Sequence, residues 1–199
     1  MSLYITIVIL AYLLGSVASA VVVCRSLGLS DPRAAGSGNP GATNVLRLHG
    51  RKAAALTLIG DVLKAVPAIL LLHYLQAPAA FIAAAGLAAF LGHLFPLYFG
   101  FRGGKGVATL VGILSATDWS LGVAFILTWL LVALVTRYVS LAAMVAAVLM
   151  PLYSYYLLPD NTAYIVSTAL MSLAVLSRHR SNISNLLAGE EDKIGNIKQ

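Results

Sequence analysis

Two glycine-rich windows hold the residues best suited to chemistry. The first, AAGSGNPGATNVLR at 34–47, gathers Gly36, Ser37, Gly38, Asn39, Gly41, Thr43, Asn44 and Arg47. The second, GFRGGKGVAT at 100–109, gathers Gly103, Gly104, Lys105, Gly106 and Thr109. Glycines let successive backbone N–H groups turn inward and form a nest for an anion. Lys105 adds a point charge, and Arg47 a planar fork that grips phosphate through two donors. The hydroxyls of Ser37, Thr43 and Thr109 and the amides of Asn39 and Asn44 extend a donor set suited to one or two phosphate groups. A third window, SRHRSNISNL at 177–186, offers His179 and Asn182 three residues apart, on one face of a helix at the membrane surface.

Two nucleotide readings fail on these windows. Gly36-x-Gly38-x-x-Gly41 spells the dinucleotide fingerprint, but that fingerprint works after a strand in a βαβ unit, and here it follows a long apolar run. Pro40 also removes a backbone donor. The second window misses the triphosphate loop Gly-x-x-x-x-Gly-Lys-Ser/Thr, because position 99 is Phe and position 106 is Gly. The histidines and carboxylates lack metal-ligand spacing, and the single cysteine, Cys24, builds neither a disulfide nor a multi-cysteine metal site. No metal and no cofactor are expected.

The elements that position these windows are membrane spans. The chain is 60% hydrophobic and 10% charged, against about 45–50% and about 25% for soluble domains. Apolar runs at 3–24, 53–75, 78–99, 119–136, 139–158 and 162–178 approach the ~20 residues a crossing helix needs. The run 3–24 reads as a retained span, since no Lys or Arg precedes it and it is too long for a typical signal, although Ala18-Ser-Ala20 resembles a cleavage site. The stretch 107–117 is short, and charge parity decides it. Arg25, Arg33, Arg47, Arg51, Lys52, Arg102, Lys105, Arg137, Arg178, Arg180, Lys193 and Lys198 all fall on one side if 107–117 crosses. The expectation is an all-α, polytopic single domain over 1–199, with seven spans, the N-terminus outside and the C-terminus cytoplasmic. The short fourth span is expected to extend back into the glycine-rich loop, and 187–199 to be a flexible cytoplasmic tail. The net charge of +6 then reflects orientation rather than nucleic-acid binding.

Within the spans, Asp61 and Lys64 are three residues apart and pair on one helix, about 13 Å below Lys52. Such a pair either serves function directly or neutralises itself and orients the loops. His93, in GHLFP, reads either as a base or, the favoured reading, as a structural residue bonding a backbone carbonyl freed by Pro96. His49 and His73 read as loop and outer-rim residues.

Taken together, GSGNPGATNVLR, GHLFPLYFGFRGGKGVAT and RHRSNI resemble the three signature segments of the bacterial acyl-phosphate:glycerol-3-phosphate acyltransferases. The resemblance covers nearly the whole chain. It implies transfer of a fatty acyl group from acyl phosphate to the 1-hydroxyl of glycerol 3-phosphate, giving lysophosphatidic acid in phospholipid synthesis at the inner membrane of a bacterium. The chain lacks the His-x-x-x-x-Asp pair of other glycerolipid acyltransferases. A serine-bearing stretch of the family resembles RYVSLAAM, where Ser140 is followed by Ala142 and Ala143.

On this reading Lys105, Ser37 and His179 are the catalytic candidates. Lys105 and the amides of 103–106 face the donor phosphate and the oxyanion. Arg47, His179 and Asn182 face the acceptor, while Gly36, Gly38, Ser37, Asn39, Thr43 and Asn44 shape the first loop around phosphate. Thr109 and Ser140 complete the site, which faces the cytoplasm. Acyl phosphate and glycerol 3-phosphate are the small-molecule partners, and membrane lipid surrounds the protein. The oligomeric state stays open. The rival class is a transporter or channel for a phosphate-bearing solute, which calls for polar residues through several spans and access from both faces.

Overall fold

The computed structural model describes residues 1–195. Lys198 and the end of the expected tail lie outside the described residues. Among those described, helices are the only regular element. They are α1 (Ser2–Gly15), α2 (Ser19–Ser26), α3 (Ala42–His49), α4 (Arg51–Leu63), α5 (Val66–Tyr74), α6 (Ala79–Leu94), α7 (Val107–Thr117), α8 (Trp119–Thr136), α9 (Val139–Leu157), α10 (Thr162–Arg178) and α11 (Arg180–Ala188), with a 3₁₀ turn at Leu97–Phe99. Four stretches, Arg51–Tyr74, Ala79–Phe99, Trp119–Thr136 and Val139–Leu157, are long and apolar enough to cross a membrane. The pair α1/α2 makes a fifth if its 50° bend is one broken span, and α7 and α10 are apolar but shorter.

Small residues let the helices approach. A Cβ on Gly15 would stand 2.1 Å from the carbonyl oxygen of Ala89, and one on Gly92 2.3 Å from that of Tyr12, so α1 and α6 meet backbone to backbone. The core between them and their neighbours holds Ile69, Leu72, Phe90, Leu110, Ile113 and Phe125. A buried Ser154–Thr168 hydrogen bond of 3.1 Å ties α9 to α10. The outer faces are apolar too: Leu131 is 64% and Leu134 78% exposed on α8. That surface suits lipid, which is as apolar as the core.

The first apolar run is interrupted. It breaks at Ser16–Ala18, where the Ser16 hydroxyl donates back to the Tyr12 carbonyl at 2.8 Å. The break frees the Val17 carbonyl, and the Lys64 ammonium donates to it at 2.9 Å. The second run is also interrupted, at Lys64–Ala65, ahead of Pro67 in the first turn of α5.

The polar loops collect at one end of the bundle. Arg33 Nη1 donates to the Phe99 carbonyl at 3.1 Å, joining the first loop to the turn before the second. Arg178 and the chain beyond Gly189 reach the second loop and the α8–α9 turn. At the other end His73 Nε2 lies 3.1 Å from the Thr117 carbonyl.

Candidate active site

The first loop is folded around one amide. Asn44, 2% exposed at the start of α3, accepts from the Ser37 N–H at 3.0 Å. Its Nδ2 donates to the Pro32 carbonyl at 2.8 Å and the Ala35 carbonyl at 3.1 Å. All its bonding is spent on the loop, so Asn44 shapes the loop rather than touching a ligand. Gly36 and Gly38 take left-handed φ of 61° and 68° around it. Ser37, Thr43 and Arg47 are exposed, and Asn39 is half-buried. Arg33, absent from the sequence reading as a site residue, grips Asp31 through Nη2–Oδ2 at 2.7 Å and Nε–Oδ1 at 3.0 Å. That hydrogen bonding holds the Asp31 carboxyl below its usual pKa.

The second loop is packed hard onto α6. Gly103, Gly104 and Gly106 are buried. A Cβ on Gly103 would stand 2.0 Å from the His93 carbonyl oxygen, and one on Gly106 2.2 Å from the Phe90 ring. Arg178 Nη2 donates to the Gly103 carbonyl at 2.7 Å and Nε to the Gly104 carbonyl at 3.2 Å. With φ at 87°, Gly106 stops the loop from joining the helix, and α7 begins only at Val107. The expected extension of this helix into the loop is therefore corrected: residues 102–106 are non-helical. The first backbone bond of α7 runs from Leu110 N–H to the Gly106 carbonyl. The N–H groups of Val107, Ala108 and Thr109 consequently end the helix without partners in its ladder, at its positive pole. Thr109 is fully buried, and its hydroxyl has no hydrogen-bond partner among the described residues.

Lys105 stands at this helix end and donates to Asn182 Oδ1 at 2.6 Å. Asn182 Nδ2 donates in turn to Glu191 Oε1 at 2.7 Å, and the Ser140 hydroxyl donates to the same oxygen. Three candidate residues from three separate windows thus share one cluster. Burial lowers the Lys105 pKa, with Glu191 opposing the shift. His179, 3% exposed, has Nδ1 2.8 Å from the Val175 carbonyl. A carbonyl only accepts, so Nδ1 carries the proton and a neutral ring keeps its lone pair on Nε2. Burial lowers the His179 pKa, chiefly by desolvation, and keeps that neutral form at neutral pH.

Residues 189–195 turn back over the cluster. Asp192 pairs with Arg47 at 3.1 Å, Ile194 N–H donates to the Arg137 carbonyl at 2.8 Å, and the Lys193 ammonium lies 5.3 Å from the centre of the Tyr138 ring. The sequence reading passed over Glu191, Asp192 and the anchoring role of Arg178. Their only local signal was mixed charge after the last span. His93 differs from expectation as well: its Nδ1 meets the Lys64 ammonium rather than a backbone carbonyl. Among the described residues no group of three or more His, Cys, Asp or Glu side chains is placed to hold a metal ion.

Over residues 5–189 the chain matches the glycerol-3-phosphate acyltransferase family. A glycerol-3-phosphate acyltransferase of Thioalkalivibrio sulfidiphilus is 53% identical over 186 residues, covering 94% of this chain and 91% of that protein. One from Hydrogenovibrio crunogenus is 52% identical over 184 residues, covering 92% and 88%. Among solved structures, PlsY (YgiH), an integral membrane glycerol 3-phosphate acyltransferase in its glycerol 3-phosphate form, superposes with a TM-score of 0.90 at 37% identity, covering 96% of each chain. Its lysophosphatidic acid form gives 0.88 at 36% identity, covering 96% of this chain and 94% of that one.

Proposed function

The chain belongs to the glycerol-3-phosphate acyltransferase family, and we propose that it is the acyl-phosphate-dependent kind, with one phosphate held by each glycine-rich loop. It is an integral membrane enzyme that transfers a fatty acyl group to glycerol 3-phosphate and forms lysophosphatidic acid. The observation that carries the site assignment is the Lys105–Asn182–Glu191–Ser140 cluster at the start of α7.

The 1-hydroxyl oxygen attacks the acyl carbonyl carbon, and a tetrahedral oxyanion forms. The carbon–oxygen bond to phosphate then breaks, and phosphate leaves with the electron pair. Lys105 and the amides of Val107, Ala108 and Thr109 stabilise the donor phosphate and the oxyanion, replacing the expected set at 103–106. The Gly104 N–H is taken by the His93 carbonyl, while the helix-start amides have no ladder partner and need no reorganisation when negative charge develops. The buried Thr109 hydroxyl is available as a further donor to this end of the helix. Arg47, His179 and Asn182 hold the acceptor, and Arg47 exchanges Asp192 for its phosphate. Ser37 lies on the exposed turn of the first loop and caps the same anion. The hydroxyl proton passes to a substrate phosphate oxygen, while neutral His179 orients the hydroxyl through Nε2.

The reading includes seven spans, with α1/α2 as one broken span and α7 and α10 as short ones. The N-terminus is outside, and residues 1–199 form one domain. Support comes from basic residues and polar loops gathered at one end of the bundle, which the charge rule assigns to the cytoplasmic side, and on this reading the membrane is a bacterial inner membrane. Purified protein, acyl phosphate and labelled glycerol 3-phosphate, with acyl-CoA as competing donor, test the donor. Labelled lysophosphatidic acid is expected from acyl phosphate alone. Product only from acyl-CoA overturns the donor assignment, and solute flux in liposomes without product favours a transporter.

A further inference from the structure

Beneath the second loop lies a buried polar cluster that the acyl-transfer scheme leaves unused. The side chains of Lys64 and Asp61 are 6% and 3% exposed. Lys64 Nζ lies 2.9 Å from the Val17 carbonyl, 2.9 Å from Asp61 Oδ1 and 2.8 Å from His93 Nδ1. An ammonium has three protons, and these three acceptors take them all. His93 Nδ1 therefore accepts, and the proton of the neutral ring sits on Nε2.

That nitrogen faces the glycine-rich loop. A Cβ on Gly104 would stand 2.3 Å from His93 Nε2 and 2.9 Å from Cε1, and its three nearest atoms all belong to that ring. Gly104 lies outside the positive-φ set, so its backbone accepts a side chain and the ring is what excludes one. The Gly104 N–H also donates to the His93 carbonyl at 3.2 Å. The loop carrying Lys105 rests on His93, and His93 is held by Lys64.

We propose that Asp61, Lys64 and His93 are positioning residues for the phosphate loop: the ion pair fixes the His93 ring, and the ring sets where Gly104 and Lys105 meet the substrate. The proposal rests on the acyltransferase reading. Simple neutralisation of two charges inside a membrane makes a different prediction, since a buried pair exchanged for uncharged residues of similar volume is often tolerated.

A double-substitution cycle at positions 93 and 104 separates the two, read as KM and kcat for glycerol 3-phosphate and acyl phosphate on the purified full chain. Transfer by the unsubstituted protein secures the acyltransferase reading first; its absence sinks that reading and not merely the positioning role. Gly104→Ala alone is expected to raise a phosphate-substrate KM at least about tenfold, the scale of a lost contact to a charged group. In a His93→Ser background the same change should alter KM by less than about threefold, because the obstructing ring is gone. An equal effect in both backgrounds overturns the proposal. If His93→Ser does not fold, Asp61→Asn/Lys64→Gln, which leaves no unpaired charge, decides the matter. A monodisperse double variant with raised KM supports positioning, and one with unchanged KM and kcat refutes it.

Discussion

Asn44→Leu removes one side chain and three hydrogen bonds from the first loop. The bonds run to Ser37 N–H, Pro32 carbonyl and Ala35 carbonyl, at 3.0, 2.8 and 3.1 Å. Leu occupies a similar volume, so the loss is polar rather than a cavity. At about 1 kcal/mol net for each bond, the ordered loop loses about 3 kcal/mol. That is about a hundredfold in the ratio of ordered to disordered loop, since each 1.4 kcal/mol is tenfold. If the unliganded loop is only marginally ordered, kcat/KM for glycerol 3-phosphate follows the ordered fraction and falls by up to about the same hundredfold. Asn44→Asp sharpens the argument. It keeps an acceptor for Ser37 but turns an oxygen toward two carbonyl oxygens, inside a site that is 2% exposed. Despite its shape, it should be at least as damaging as Leu. The assay is incorporation of labelled glycerol 3-phosphate into lysophosphatidic acid by purified protein in detergent, with thermal unfolding measured alongside. The midpoint should shift by no more than about 6–12 degrees, at ~2–4 degrees for each kcal/mol in a chain of this size, and the bundle should stay folded because α3 lies outside the main core cluster. Asn44→Leu with kcat/KM within about threefold of the unsubstituted value, or Asn44→Asp more active than Asn44→Leu, refutes the reasoning.

Lys105→Met should lower transfer by about a hundred- to a thousandfold while the protein stays monodisperse, the scale of removing one donor aimed at an oxyanion; near-normal turnover rules out this helix end as the reaction centre. Burial depresses the His179 pKa, so kcat/KM should stay flat through neutrality and fall only as pH drops below the ordinary imidazole range. Stability should follow the same sign: the contribution of neutral His179 is full above its unfolded pKa and is lost as pH falls through the lower folded value. His179→Gln should keep measurable kcat with raised KM, and a loss approaching ten-thousandfold in kcat would instead make His179 an obligatory base. Asp192→Asn frees Arg47 from a pair whose side chains are 37% and 53% exposed. A contact so screened is weak, so KM for glycerol 3-phosphate should fall by no more than about threefold; a rise in KM would show that Asp192 helps to build the site.

Much of the candidate site was readable because the residue types it gathers are written in short windows. Gly103-Gly104-Lys105-Gly106 and His179-x-x-Asn182 announce a cation in a flexible cradle and a polar pair at a membrane surface without any knowledge of their packing. What stayed hidden depends on partners far along the chain. Lys105 meets Asn182 across 77 positions, and Arg33 meets the Phe99 carbonyl across 66. Glu191 joins Ser140 to Asn182 from a segment whose composition resembles any solvated tail. Apolar composition likewise says nothing about the break at Ser16–Ala18, which is offset by Lys64, a residue from another span.

The second loop shows why spacing alone could not assign its donors and acceptors. A glycine run offers as many carbonyls as N–H groups, and carbonyls repel phosphate. Here the two classes are sorted by residues outside the run. Arg178 draws the Gly103 and Gly104 carbonyls to itself, and the His93 carbonyl takes the Gly104 N–H. Gly106, at a φ that L side chains rarely adopt, then ends the loop and starts a helix whose opening amides have no ladder partner. On the proposed reading the anion-facing character of this region comes from Arg178, which takes the carbonyls, and from the opening amides of α7, while the His93 carbonyl takes the Gly104 N–H out of the donor set. Replacing Arg178 with Met should turn two carbonyls loose beside Lys105 and weaken phosphate-substrate binding, although Arg178 contacts no phosphate in this scheme. Arg178→Lys, with one charged head on a flexible stem in place of a fork, should restore that binding only in part. A KM for either phosphate substrate unchanged in Arg178→Met would mean that the glycines hold their orientation unaided.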